Sequence, residues 1–144
     1  MVHALTEAHR VLRPGGSLID YRPDLDPRGY RAKLLDTYCI SRGREFSVGA
    51  LIETARYYAD YRASDRAVQQ VLRRGIFTLV SSEIARPKVY FRDLDTLERY
   101  LQTQWTGTTL GSQTSQRLAT ILGRDPTAQI AVVDTFRINV LRKA

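Results

Sequence analysis

His9-Arg10-Val11-Leu12-Arg13-Pro14-Gly15-Gly16-Ser17-Leu18-Ile19-Asp20-Tyr21-Arg22-Pro23 reads as the end of a helix, a tight turn and a buried strand. Upstream, Ala4, Leu5, Ala8, Val11 and Leu12 recur at the spacing of one amphipathic helix face. Pro14 ends that helix, because it has no N–H and disfavours the helical region for Arg13. Gly15 and Gly16 give the turn its freedom in φ. Ser17 to Tyr21 is then a short apolar run, and Pro23 closes it.

This order resembles a family segment. A helix, then R-V-L-[RK]-P-G-G, then an apolar strand is what class I S-adenosylmethionine-dependent methyltransferases carry just before the fifth strand of their sheet. Arg10-Val11-Leu12-Arg13-Pro14-Gly15-Gly16 matches all seven positions. The resemblance implies an α/β fold: a mixed sheet with helices, like the C-terminal part of a Rossmann-like methyltransferase fold, with an antiparallel final strand. It also implies S-adenosylmethionine as the cofactor of the intact family. That cofactor is held upstream of the motif, by a Gly-rich loop after the first strand and an acidic residue at the end of the second. Here the motif begins at residue 10, and no G-x-G pair occurs anywhere in the chain. We therefore expect a methyltransferase-related chain that lacks the cofactor-binding half. It has no cofactor-binding residue to assign, binds no cofactor alone and is not catalytic alone. Whether Met1 is the natural start stays open, as do the methyl acceptor and the catalytic residues.

A chain of 144 residues suits a single domain. The reading divides it into the helix-turn-strand motif at 1–23, an insertion at 24–56, and helices with terminal strands at 57–144. Hydrophobic content of 43% and charged content of 26% are ordinary globular values. No apolar run is long enough to cross a membrane, and the first residues lack the basic-then-apolar pattern of a signal peptide, so none is expected. Cys39 is the lone cysteine, so no internal disulfide can form; a cytoplasmic setting is expected. The net charge of +7 invites a nucleic-acid reading, but Arg supplies 19 of the 22 basic residues and they are scattered. The Arg62, Arg66 and Arg73 face of a helix reads as solvated surface, and nucleic acid is not the expected partner.

By the resemblance, the end of the fifth strand of the family's sheet, here the strand at Ser17–Tyr21, lies near the substrate entrance. That makes Asp20, Tyr21, Asp24 and Asp26 the polar residues of most interest, and the substrate-side candidates are Asp20, Tyr21 and Asp24 together with Tyr57, Tyr58 and Tyr61. By composition alone, Asp24 and Asp26 are also turn formers within Asp24-Leu25-Asp26-Pro27-Arg28-Gly29. Tyr57, Tyr58 and Tyr61 cluster at the start of a helix expected over 57–74, either lining a pocket or standing at a core edge. Leu34–Ile40 and Phe46–Ile52 read as a hairpin around a loop at 41–45. Residues 76–84 read as a strand ending before Pro87, with Val89–Phe91 a second extended piece. Asp93 reads as the N-cap of the next helix, and Thr114 or Ser115 as the start of another. The clearest strand is the last, where Ile130, Val132, Phe136, Ile138 and Val140 share one parity, broken only at Asp134-Thr135. No Cys/His/carboxylate set has metal spacing. If the first strands of the sheet are absent, Ser17–Tyr21 becomes an exposed edge. The expected remedy is a homodimer through that edge or through the insertion, which is the alternative function: a binding module without enzymatic activity.

Overall fold

The computed structural model describes residues 1–25 and 33–144. In chain order its elements are α1 (Val2–Val11), β1 (Ser17–Pro23), β2 (Leu34–Ser41), β3 (Arg44–Glu53), α2 (Ala55–Arg73), β4 (Phe77–Ala85), β5 (Lys88–Phe91), α3 (Leu94–Thr103), β6 (Thr108–Leu110), α4 (Ser112–Arg124), β7 (Gln129–Val133) and β8 (Phe136–Lys143). The fold is mixed α/β, with helices and antiparallel sheets. The described residues form two compact units. The first comprises 1–25, 59–85 and 135–144; the second comprises 33–58 and 86–134.

The first unit is a three-stranded sheet in the order β1-β8-β4. Both outer strands run antiparallel to β8, so β1 and β4 are parallel to each other. The expected antiparallel final strand is therefore β8. α1 ends as the sequence requires: Leu12 is already extended, Gly15 takes φ +71°, and Gly16 N–H closes the turn on the Arg13 carbonyl at 2.9 Å. The helix seals one sheet face with Leu5, Val2 and Leu12, not with Val11, which is 68% exposed. α2 adds Ala67, Val68 and Val71 to the same cluster, over Phe77 and Leu141. Gly75 takes φ +67° after α2, with Gly75 N–H on Leu72 O and Ile76 N–H on Val71 O. This is the Schellman pattern, whose left-handed residue glycine adopts without strain.

The second unit is a five-stranded sheet in the order β5-β7-β2-β3-β6, every described ladder antiparallel. Leu35, Cys39, Val48, Leu51, Ile130 and Val132 of its strands pack with Leu97 and Leu101 of α3 and Leu118 of α4. Asp93 caps α3 as expected, its carboxylate accepting from Thr96 N–H at 2.7 Å. The connection at 41–45 is tighter than expected. Only Arg42 and Gly43 leave the ladder, and Ser41 pairs with Arg44. α4 starts at Ser112, a turn ahead of the expected Thr114 or Ser115.

The last strand departs most from the expectation. The stretch at 129–143 is two strands in different sheets: β7 belongs to the second unit and β8 to the first. Asp134-Thr135 is the crossing point. Asp134 N–H bonds Pro87 O in the second unit, whereas Thr135 O accepts from Asp24 N–H in the first. The buried parity also changes. In β8 the buried residues are Asn139 and Leu141, while Phe136, Ile138 and Val140 lie half-exposed on the other face. No helix among the described residues is long and apolar enough to cross a membrane.

Candidate functional site

The helix-covered face of the first sheet is apolar at one end and charged at the other. Leu18 pairs across to Leu141, then Asp20 to Asn139, then Arg22 to Arg137. Side chains two apart along a strand share a face. The alternation that turns Leu18 toward the core thus also buries Asp20 and Arg22, each under a tenth exposed.

These groups satisfy one another. Asn139 Nδ2 donates to Asp20 Oδ2 at 2.7 Å, and Arg22 Nε donates to the same oxygen at 2.9 Å. Arg22 Nη1 reaches Asp65 of α2 at 3.1 Å. Arg137 Nε donates to Asp24 Oδ1 at 2.8 Å, and its Nη1 to Ser82 Oγ at 3.2 Å. Buried charges persist only when paired and hydrogen-bonded in this way. Arg22, Asp24, Asp65, Ser82, Arg137 and Asn139 line a cavity of about 360 Å³ at the C-terminal end of β1. Two carboxylates (Asp24, Asp65) and two guanidiniums (Arg22, Arg137) line it, with Asp20 outside the lining on Arg22 Nε. The chemistry on offer is orientation of a polar ligand by fixed donors and acceptors, with room for a cationic or hydrogen-donating group beside Asp65, whose side chain is 37% exposed.

The substrate-side candidates from the sequence separate. Asp20 and Asp24 join this cluster. Tyr21 points to the opposite face of β1, where it stacks on Phe136 with ring centroids 4.7 Å apart. Tyr57 and Tyr58 belong to the second unit and Tyr61 to the first. Tyr57 lies over Gly107, where an added Cβ would sit 1.7 Å from its ring. Asp26 lies outside the described residues. The sequence reading missed Arg22, Asp65, Arg137 and Asn139. Charged Asp20 and Arg22 at the parity of Leu18 were the available signal.

A second buried charge pair joins Lys33 to Asp134 in the second unit, with Lys33 wholly enclosed. Cys39 is sealed in the second core; burial above all, with Asp125 adding to it, pushes its thiol pKa up, which disfavours the thiolate. No group of His, Cys, Asp and Glu among the described residues is arranged to hold a metal. The strand-to-helix turns, where the implied cofactor loop would stand, are Thr54, Arg92-Asp93 and Gly111. None is Gly-rich, so the described residues do not fit that group. No family model matches the chain, and no curated protein or solved structure matches it either.

Proposed function

We propose that the chain is the acceptor-side part of a methyltransferase of the S-adenosylmethionine-dependent class, and that the charged pocket of its first unit holds a polar methyl acceptor. One observation carries the reading. Arg10–Gly16 runs from the last residues of α1 through the turn that leads into β1, the helix–turn–strand order in which the resembling enzymes carry their heptad. Methyl transfer asks chiefly that the acceptor lone pair be placed in line with the methyl carbon. Asp24 and Asp65 orient a donor group of the acceptor, and the accessible Asp65 carboxylate favours an amine. Asp20, Arg22 and Asn139 act as positioning residues by fixing that geometry. The chain alone does not turn over.

Two measurements test this. Calorimetric titration with S-adenosylmethionine is expected to give no saturable heat; saturable binding overturns the acceptor-only role. A thermal-shift panel of small primary amines is expected to raise the melting temperature, with the shift lost in Asp65→Asn. An absent shift, or one that survives in the variant, overturns the pocket assignment.

A second reading, a homodimeric binding module, is favoured by one feature of β1. It ends its sheet, and Ile19 and Tyr21 on its uncovered face are 68% and 57% exposed. An unpaired strand edge beside an apolar face is a template for pairing. Sedimentation over a range of concentrations is expected to show a dimer that Ile19→Arg converts to a monomer. A wild-type chain that stays monomeric at high concentration removes this reading.

A further inference from the structure

In the second unit, the β2–β3 turn and the C-terminal end of α4 enclose an open cavity of about 650 Å³. Arg42, Arg44, Phe46, Ile121, Arg124 and Asp125 line it. We propose that this cavity binds a phosphorylated aromatic small molecule of the nucleoside monophosphate class, with the phosphate on the three arginines and the ring against Phe46. The proposal does not rest on the methyltransferase reading.

Charge is the first argument. Three guanidiniums line one cavity, and among the described residues none of them has a carboxylate within the 4.0 Å of an ion pair, while other surface arginines such as Arg10 and Arg86 do. Asp125 is the one acidic group in the lining, and it is occupied. Its Oδ2 accepts from Ser41 Oγ at 2.5 Å; its Oδ1 accepts from Thr127 Oγ1 at 2.6 Å and Thr127 N–H at 3.0 Å. The lining therefore carries two net positive charges, the complement of a phosphate dianion. Guanidinium is also the side chain that meets phosphate in a two-pronged geometry.

The second argument is placement. Arg44 and Phe46 are two apart on β3 and share a face. Ile121 and Arg124 are three apart on α4 and share a side. Each element thus offers an apolar group next to a cation, and Phe46 is 44% exposed. Plain solvated arginines do not need an uncovered ring beside them, whereas a ligand with a flat body does.

The third argument is the backbone. Arg42 has φ +49° and Gly43 φ +73°, and Arg42 is the one non-glycine among the described residues with positive φ. A two-residue hairpin turn with both residues left-handed favours Asn-Gly. Arginine there is a poor choice for the turn, and its guanidinium is what the position gains.

The test is calorimetry at low salt with adenosine 5′-monophosphate, adenosine, inorganic phosphate and a short thymidine oligomer. The monophosphate is expected to bind saturably. Adenosine and phosphate are each expected to bind at least about tenfold more weakly, since each gives up one set of contacts. Arg124→Gln and Phe46→Ala are expected to weaken monophosphate binding by about tenfold without a change in melting temperature. Arg42→Asn gives the sharpest outcome: the turn gains its favoured residue, so the melting temperature rises while affinity falls. No saturable monophosphate binding overturns the proposal, as does affinity unchanged in Arg42→Asn and Arg124→Gln. Phosphate binding as tightly as the monophosphate overturns the role of the ring. An oligomer affinity that climbs with length overturns the small-molecule assignment in favour of single-stranded nucleic acid.

Discussion

Asn139 Nδ2 lies 2.7 Å from Asp20 Oδ2, straight across the β1–β8 ladder in which the two are register partners. The amide supplies one of the two hydrogen bonds that hold this oxygen; Arg22 supplies the other. Asn139 is 3% exposed, so water does not replace it freely. The pairing fixes which way the Asp20 carboxylate faces, and through Arg22 it fixes Asp65. An interaction made between adjacent strands thereby sets the wall of the pocket.

Asn139→Ala should lower stability by about 1–3 kcal/mol, the range for leaving a buried partner short of a hydrogen bond. Asn139→Asp should cost more, because it sets a second carboxylate against the first with one guanidinium between them. The urea midpoint of each variant at neutral pH checks the order. An aspartate variant as stable as the alanine one would mean that Asn139 is packing and not a hydrogen-bond donor.

The enclosed Lys33–Asp134 pair gives a different kind of prediction. Lys33→Met takes the ammonium away from a carboxylate that is itself 8% exposed, and should cost up to about 3–5 kcal/mol. Lys33→Met with Asp134→Leu removes both charges and should recover much of that loss, because neither ion then needs desolvation. Guanidinium unfolding of the two proteins and the wild type measures the recovery. A double variant no better than the single one would show that each residue is held by other partners.

Much of the fold is local chemistry and therefore legible. Pro14-Gly15-Gly16 ends one helix, Gly75 ends another and Asp93 starts a third, each through a backbone requirement that one or two residues express. The stretch at 129–143 is different. Val132 and Val140 continue one alternation, and alternation reports which side a residue faces, not which sheet it joins. The change of sheet at Asp134-Thr135 is set by hydrogen bonds to Pro87 and Asp24, remote in sequence. The pocket was hidden for the same reason. Asp20 and Asp24 could be singled out by position on the strand that follows the heptad. Asp65 and Asn139 could not, because nothing in their local sequence says which carboxylate or guanidinium they meet. Tyr57, Tyr58 and Tyr61 are close neighbours on one helix, yet that helix runs from one unit into the other.

Acid should act on the second unit through Asp125. Hydrogen bonds from Ser41 and then Thr127 hold its carboxyl at about 2, below the ordinary 3.8. A carboxyl depressed on folding contributes stability that is complete above its unfolded value and is lost as pH falls through the folded one. The difference in urea midpoint between wild type and Asp125→Ala should therefore stay constant from neutral pH to about 5, then shrink between about 4 and 2. Asp93, depressed chiefly by its bonds with Thr96, titrates in the same direction and is common to both proteins. A difference that holds unchanged down to pH 2 would mean that Asp125 contributes by shape alone.

Gly49 combines two constraints that can be separated by experiment. Its φ is +137°, a region that side chains rarely adopt, and it follows the bulge where the β2–β3 register shifts between Thr37 and Tyr38. A Cβ at this position would also stand 2.4 Å from Thr114 Oγ1 on α4. Gly49→Ala should thus destabilise by about 2–4 kcal/mol, part from the backbone and part from the clash. Thr114→Ala removes the obstructing hydroxyl and leaves the backbone cost untouched. The double variant should accordingly be more stable than Gly49→Ala, yet still less stable than Thr114→Ala by the backbone part of the cost. If it falls no higher than Gly49→Ala, the strand conformation carries the whole penalty, and α4 does not depend on a bare backbone at residue 49 to seat against β3.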